Sequence, residues 1–338
     1  MTSLPKTLSD REAIIFKHAF LGDSVIDWSR LFFTDEESVL KFLRLNEFDP
    51  SKTKDLDRLG LIHQEAVDYL QNHLHFDISA ELKDSTKVIP IFLKASQGSD
   101  KQLIRQSCAI LKTMNIIHHI DGRELLYNCS ISLRDLFSLV EDKIVRSLSY
   151  LSRTTSQMVH YEGGRKSKDS LVTKLLSKRE SIAAQINDRV RYRITAKTKD
   201  DIVKITTYLF DTLIPFNYVI PNASTNQLFT LDMKKKDAIN KLLHINPLYA
   251  QKRSQDFTAK TYKVCKFVAD IPIRMDNFLA QSGGPAFRES LGNIAFVLVE
   301  FQIVDEETSL KNNAGDASHE RYKIRQKTGV VKRLIGSK

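Results

Sequence analysis

Apolar positions in the first 150 residues recur at helical spacing. Leu56, Leu59 and Leu61 lead into Ala66, Val67 and Leu70. The same period returns within 102–117 through Leu103, Ile104, Cys108, Ile110, Leu111 and Met114, and again over 133–151. Strand signals are scarce in this half, the best being Lys87-Val-Ile-Pro-Ile-Phe. A Ser/Thr-rich stretch over 152–157 and the pair Gly163-Gly164 mark the expected boundary between two halves.

Beyond that boundary, helix and strand patterns alternate. A helix is expected over 170–186, with Leu171, Leu175, Ile182 and Ile186 on one stripe, and a strand over 189–195. Thr198-Lys-Asp-Asp201 resembles a capping box that opens a helix through Ile202, Ile205, Leu209 and Leu213, which Pro215 ends. A short strand over 216–220, a helix over 233–244 and strands over 261–271 and 294–304 follow. Residues 305–317 read as a mobile loop, and a basic helix begins at His319. The pattern predicts an α+β chain. A helical domain spans 1–152, a domain with a mixed β-sheet flanked by helices spans 160–330, and a basic tail spans 331–338.

Counting by twos along three of these strands sorts their side chains. Arg189, Arg191 and Arg193 share one face, with Val190, Tyr192 and Ile194 behind. Tyr262 and Lys266 share a face opposite Cys265, Phe267, Ala269 and Ile271. Glu300 and Gln302 share a face, with Val297, Val299, Phe301 and Ile303 behind them. A plain amphipathic sheet with one face in water gives the same alternation. The division of cations onto one strand and a carboxylate onto another is also what a phosphate-and-metal site requires.

Charge supports a polyanionic partner for the second half. Residues 1–150 carry 19 Lys and Arg against 22 Asp and Glu, whereas residues 151–338 carry 32 against 19. The three cysteines, Cys108, Cys129 and Cys265, form no CxxC pair, so neither zinc nor a disulfide framework is suggested. No apolar run is long enough to span a bilayer and the first residues resemble no secretory signal, so the expectation is a cytoplasmic protein without a membrane partner.

At these residues the chain resembles the RelA/SpoT family of alarmone synthetases, which transfer pyrophosphate from ATP to the 3′-hydroxyl of a guanine nucleotide. Lys166-Ser-Lys-Asp-Ser170-Leu-Val-Thr-Lys174-Leu is similar to the family's ATP-phosphate segment, R-V-K-S-x-x-S-I-x-x-K-L. Asp188-Arg-Val-Arg-Tyr-Arg193 has the spacing of D-I-A-G-I-R, and Thr261-Tyr262-Lys263 sits where G-Y-R would lie. Val299-Glu300-Phe-Gln302-Ile303 resembles V-E-I-Q-I, and His319-Glu-Arg-Tyr322-Lys323 resembles the closing H-x-x-Y-K. The resemblance covers about residues 160–330.

The resemblance implies a nucleotidyltransferase-like second domain acting as an ATP- and Mg²⁺-dependent pyrophosphokinase. Asp188 and Glu300 would hold Mg²⁺, with Gln302 beside Glu300 in the catalytic group. Lys166, Ser170, Lys174, Arg191 and Arg193 would bind ATP phosphates. Tyr262, Lys266, His319, Tyr322 and Lys323 would form the acceptor side, with Tyr262 stacking on the base. The chain departs from the pattern in several places. Gly164 replaces the first Arg of R-V-K-S, Arg191 the glycine of D-I-A-G-I-R, Lys260 the Asn of N-G-Y, Lys266 the His of S-L-H, and Val304-Asp305 the R-T after the last strand. Two alternatives therefore stay open: the same chemistry on an adenine nucleotide or a tRNA 3′ end, and an inactive relative that binds nucleotide or RNA.

No His-Asp dipeptide occurs, so the family's hydrolase activity is not expected. His118-His119 followed by Asp121-Gly122 reads as a helix end and turn, since adjacent helical histidines point about 100° apart. His73 and His75 read as a solvent-exposed helix end, and Lys234 to Lys236 as a solvated helix start.

Overall fold

A computed structural model describes residues 2–3, 12, 15–16, 19–20, 28, 30–84, 86–177, 189–221, 223–230, 257–259, 261–279 and 291–335. β1 (Thr2–Ser3) pairs in parallel with a strand far along the chain. Then come α1 (Glu36–Leu45), α2 (Thr53–Asn72), α3 (Val88–Gln97), α4 (Lys101–Asn128) and α5 (Leu133–Thr154). The second half contains β2 (Met158–Arg165), α6 (Lys168–Ser177), β3 (Val190–Ala196), α7 (Lys199–Thr212), β4 (Thr225–Asn226) and β5 (Phe229–Thr230), the partner of β1. It closes with β6 (Cys265–Arg274), α8 (Asp276–Leu279), β7 (Ile294–Asp305), α9 (Glu306–Asn313) and α10 (His319–Ile335). The architecture is α+β, a helical N-terminal part with a mixed five-stranded sheet flanked by helices.

Strand order is β2-β3-β7-β6-β4, with β3 and β7 parallel and the other neighbours antiparallel. One face is apolar. Ile194, Phe267, Val299 and Phe301 pack there with the α5 stripe Leu136, Val140, Ile144, Leu148 and Leu151 and with Ile202, Ile205 and Leu209 of α7. Each such side chain contributes about 1.5–3 kcal/mol on burial, so this seam dominates the stability of the sheet. Thr198 and Asp201 form the expected capping box at the start of α7, each side chain engaging the other's backbone amide.

Several local expectations are corrected. The segment 88–97 is helix α3 rather than strand, because Pro90 falls in the first turn, where its missing N–H costs no hydrogen bond. Phe216–Tyr218 is a 3₁₀ turn, and the sheet contact follows it, Val219 bridging to Ala269 and the Ile220 amide donating to the Val268 carbonyl at 2.9 Å. The third strand of the sequence reading starts at Cys265, not Thr261. Much of 305–317 is ordered as α9, because the Asp305 carboxylate accepts from the Thr308 amide at 3.0 Å and from its hydroxyl at 2.6 Å. Gly163 and Gly164 lie inside β2, opposite Tyr192 and Arg191. A Cβ on Gly163 would stand 2.2 Å from the Tyr192 ring, so glycine is what lets that ring lie across the strand. The expected helix over 170–186 is described only as far as Ser177, and the one over 233–244 lies outside the described residues.

Helix α4 does not stop at His119 but continues to Asn128, through Asp121-Gly122. Gly122 sits mid-helix because α4 crosses the second face of the sheet there. A Cβ would come 2.4 Å from the Phe296 ring and 2.7 Å from the Ile294 carbonyl oxygen. Buried Asp270 of β6 accepts from His119 Nε2 at 2.8 Å and pairs with Arg123. Arg274 holds Asp55 of α2 with two hydrogen bonds, and Lys143 of α5 pairs with Glu47. Cys108, Cys129 and Cys265 form no disulfide with one another. Among the described residues no helix is long and apolar enough to cross a membrane.

Candidate functional site

The strand register brings the polar residues of the second face into two rows. Gly164, Arg191, Glu300 and Val268 lie side by side, and Glu162, Arg193, Gln302, Lys266 and Thr225 form the next row. Residues paired across strands project to the same side, so Arg191, Arg193, Glu300, Gln302 and Lys266 share one surface. Glu300 is 7% exposed and its carboxylate is engaged on both oxygens. Oε1 accepts from Gln302 Nε2 at 2.6 Å, and Oε2 faces Lys266 Nζ at 3.7 Å. Arg193 donates to Ser309 Oγ of α9 at 3.4 Å.

Two further candidates stand within electrostatic reach. Burial raises the Tyr262 hydroxyl above its ordinary pKa, opposed by Arg193 and Arg191 and reinforced by Glu300 and Glu162. Partial burial, then Lys323, Arg191 and Arg193, push His319 below its ordinary value, with Glu162 acting the other way. Tyr262 does not belong to β6, yet it still lies beside the arginines. His319 opens α10 with its ring parallel to that of Tyr322, 6.2 Å between centroids. Lys323, one turn on, is exposed.

Lys166, Ser170 and Lys174 occupy the element next to these rows. The Lys166 amide donates to the Arg189 carbonyl at 2.9 Å, continuing the β2–β3 pairing past the strand end. Ser167 caps α6, its Oγ accepting from the Ser170 amide and donating to the Ser170 hydroxyl. Helix α6 is held to α10 by Gln326 on Ser177 and by Arg333 on the Leu176 carbonyl. Arg165, adjacent to Gly164, is committed elsewhere. It makes a two-pronged pair with Glu141 of α5, at 2.9 and 2.7 Å, and lies over Phe137.

Asp188 lies outside the described residues. The carboxylate that sequence reasoning missed is Glu162, in register with Arg193. Its place was hidden because Gly163-Gly164 read as a break. Among the described residues no three His, Cys, Asp or Glu side chains gather into a cluster able to hold a metal by themselves. Mg²⁺ is ordinarily bound by one or two carboxylates together with substrate phosphates. Glu300 among cations fits an ion that arrives with a polyphosphate.

No family model matches the sequence. No curated protein matches it either. Solved structures do share some geometry with it. Small alarmone synthetase 2 from Bacillus subtilis aligns at 14% identity and TM-score 0.32, over 59% of this chain and 90% of that one. Small alarmone synthetase 1 from Bacillus subtilis, bound to its product pppGpp, aligns at 16% identity and TM-score 0.31, over 58% and 83%. A GTP pyrophosphokinase family protein from Streptococcus pneumoniae aligns at 13% identity and TM-score 0.28, over 61% and 92%. Likeness of that order establishes neither fold nor activity, and the functional reading rests on the residues themselves.

Proposed function

We propose that the open sheet face is a nucleotide site at which pyrophosphate passes from ATP to the 3′-hydroxyl of a guanine nucleotide. The observation that carries this reading is Glu300, almost buried on β7 and aligned in register with Arg191, one strand away from Lys266. A carboxylate held between cations of the two neighbouring strands on one sheet surface is arranged to meet a polyphosphate and the proton of an attacking hydroxyl. The motif resemblance over 160–330 supports the identity of the substrates.

Arg191 and Arg193 would hold the ATP phosphates, with Lys166, Ser170 and Lys174 of the neighbouring segment closing over them. Bound Mg²⁺, held by Asp188 and Glu300, would neutralise charge as AMP leaves. Tyr262 would stack on the acceptor base, and His319, Tyr322 and Lys323 would flank the acceptor's own phosphates. The acceptor 3′-oxygen attacks the β-phosphorus of ATP, the bond to the α-phosphate oxygen breaks, and Glu300 accepts the hydroxyl proton. Gln302 orients Glu300 through its amide hydrogen bond. Positioning and electrostatics supply most of the acceleration in such transfers.

The test is transfer of label from ATP carrying it on the terminal phosphates, with Mg²⁺ and GDP, GTP, ADP or tRNA offered in turn. Label on GDP or GTP is expected. Glu300→Gln should lower transfer at least about 100-fold with the melting temperature unchanged, and a fully active variant sinks the assignment. A second reading, nucleotide binding without transfer, is favoured by the engagement of both Glu300 oxygens by Gln302 and Lys266. Nucleotide binding with no transfer to any acceptor would establish it.

A further inference from the structure

The β6–β7 pairing begins at Cys265, opposite Ile303, so among the described residues 262–264 have no strand beside them. Side-chain amides take the place of that ladder. Asn312 of α9 grips Lys263 twice: its Oδ1 accepts from the Lys263 amide at 3.0 Å, and its Nδ2 donates to the Lys263 carbonyl at 2.7 Å. Gln227 holds Val264 from another segment. Its Oε1 accepts from the Val264 amide at 3.2 Å, and its own amide donates to the Val264 carbonyl at 3.1 Å. On the other side of Tyr262, its amide donates to the Ala259 carbonyl at 3.0 Å.

An asparagine side chain carries the same donor and acceptor as a peptide group, so Asn312 serves as one residue of a missing strand. It is 2% exposed, whereas the next residue, Asn313, is exposed. Three positions before it on α9, and so on the same side of the helix, Ser309 Oγ accepts from Arg193 at 3.4 Å. One short helix therefore touches both a candidate phosphate-binding arginine and the backbone beside Tyr262.

We infer that Asn312 is a positioning residue for Tyr262. By holding both backbone groups of Lys263 it fixes where the tyrosine ring stands, and so sets the affinity for the acceptor base. The inference rests on the proposed stacking of Tyr262 on that base. Without the clamp, residues 262–264 gain conformations that binding must remove again. Fixing the backbone of a single residue is worth about tenfold in an equilibrium constant. A purely structural role for Asn312 predicts something else. It would loosen α9 as a whole, and with it the Ser309 contact to Arg193, so that ATP would suffer as much as the acceptor.

Calorimetry on the full chain, with Mg²⁺ and either GDP or ATP, separates the two. Asn312→Leu, similar in volume and without either bond, should weaken GDP about tenfold and ATP less than about twofold. Asn312→Asp still accepts from the Lys263 amide but sets an oxygen against its carbonyl. It should show the same split, and it carries the test if the leucine variant does not fold. Asn313→Leu should change neither affinity. Where transfer is measured, KM for GDP should rise likewise and KM for ATP should not. Undiminished GDP binding, or equal weakening of GDP and ATP, in whichever variant folds overturns the inference. Failure of the wild type to bind GDP overturns the acceptor reading itself, and the inference with it.

Discussion

On the second face of the sheet, two ends of the same strands meet different fates. Phe296 of β7 and Asp270 and Pro272 of β6 lie under α4, where Gly122 permits close approach and Asp270 is locked by His119 and Arg123. A few residues along, Glu300, Gln302 and Lys266 carry the same alternation, and among the described residues no helix of the N-terminal part pairs to them. A period of two specifies which side chains share a face and says nothing about what arrives to cover it. Both ends carry a carboxylate paired with cations. At the sealed end it ties the helical part to the sheet, and at the open end the same device lies on the face where we propose that a nucleotide binds.

Substitutions can break this comparison, beginning with the largest expected effect. Asp270→Ala should cost about 3 kcal/mol in a denaturant melt, because it removes a fully buried carboxylate together with its bonds from His119 and Arg123 and leaves a gap under α4. An effect no larger than that of a surface substitution would mean the seal is not electrostatic. Gly122→Ala should cost about 2 kcal/mol by the same measurement, since the new methyl must displace the Phe296 ring and the Ile294 carbonyl, despite the better helix propensity of alanine.

Acid sharpens the picture of the helical part. His118 has an ordinary pKa of 6.5 and about 3 in the fold, so its contribution is present above 6.5 and is lost as pH falls toward 3. Burial raises Asp121 to about 6, which acts with the opposite sign, its cost growing as pH rises from about 4 to 6. Comparing wild type with His118→Phe cancels Asp121. The variant should gain up to about 2 kcal/mol relative to wild type between pH 7 and pH 5. Stability curves that stay parallel would show that His118 titrates normally.

The smallest effect belongs to the open end. Arg193→Ala should leave stability within about 0.5 kcal/mol and weaken ATP binding about tenfold, measured by calorimetry. If it destabilises as much as Asp270→Ala, the distinction between the two ends fails.

Much of the open end was legible beforehand. Arg191, Arg193, Glu300 and Gln302 were assigned to one face of their strands by counting, and the strand register sets Arg191 beside Glu300 and Arg193 beside Gln302. The capping box at Thr198 was equally readable, because it depends only on residues three apart. Glu162 was not, because Gly163-Gly164 signals a turn in isolation and becomes a strand only when Tyr192 lies across it. Nor was the course of α4. Asp121-Gly122 ends a helix by local preference, and the helix runs on because a sheet is there to pack against.

By itself the sequence determined the alternation that makes each strand two-faced, the stripe that seats α5 on the apolar side, and the placing of cations and carboxylate on separate strands. Those follow from local geometry, where side-chain direction repeats every two or 3.6 residues. Only the tertiary structure decided which part of the polar face α4 would seal. It also decided that His118 and Asn217 would line one cavity from positions 99 apart in number. Covering a face depends on contacts between distant segments, and no short-range period encodes those.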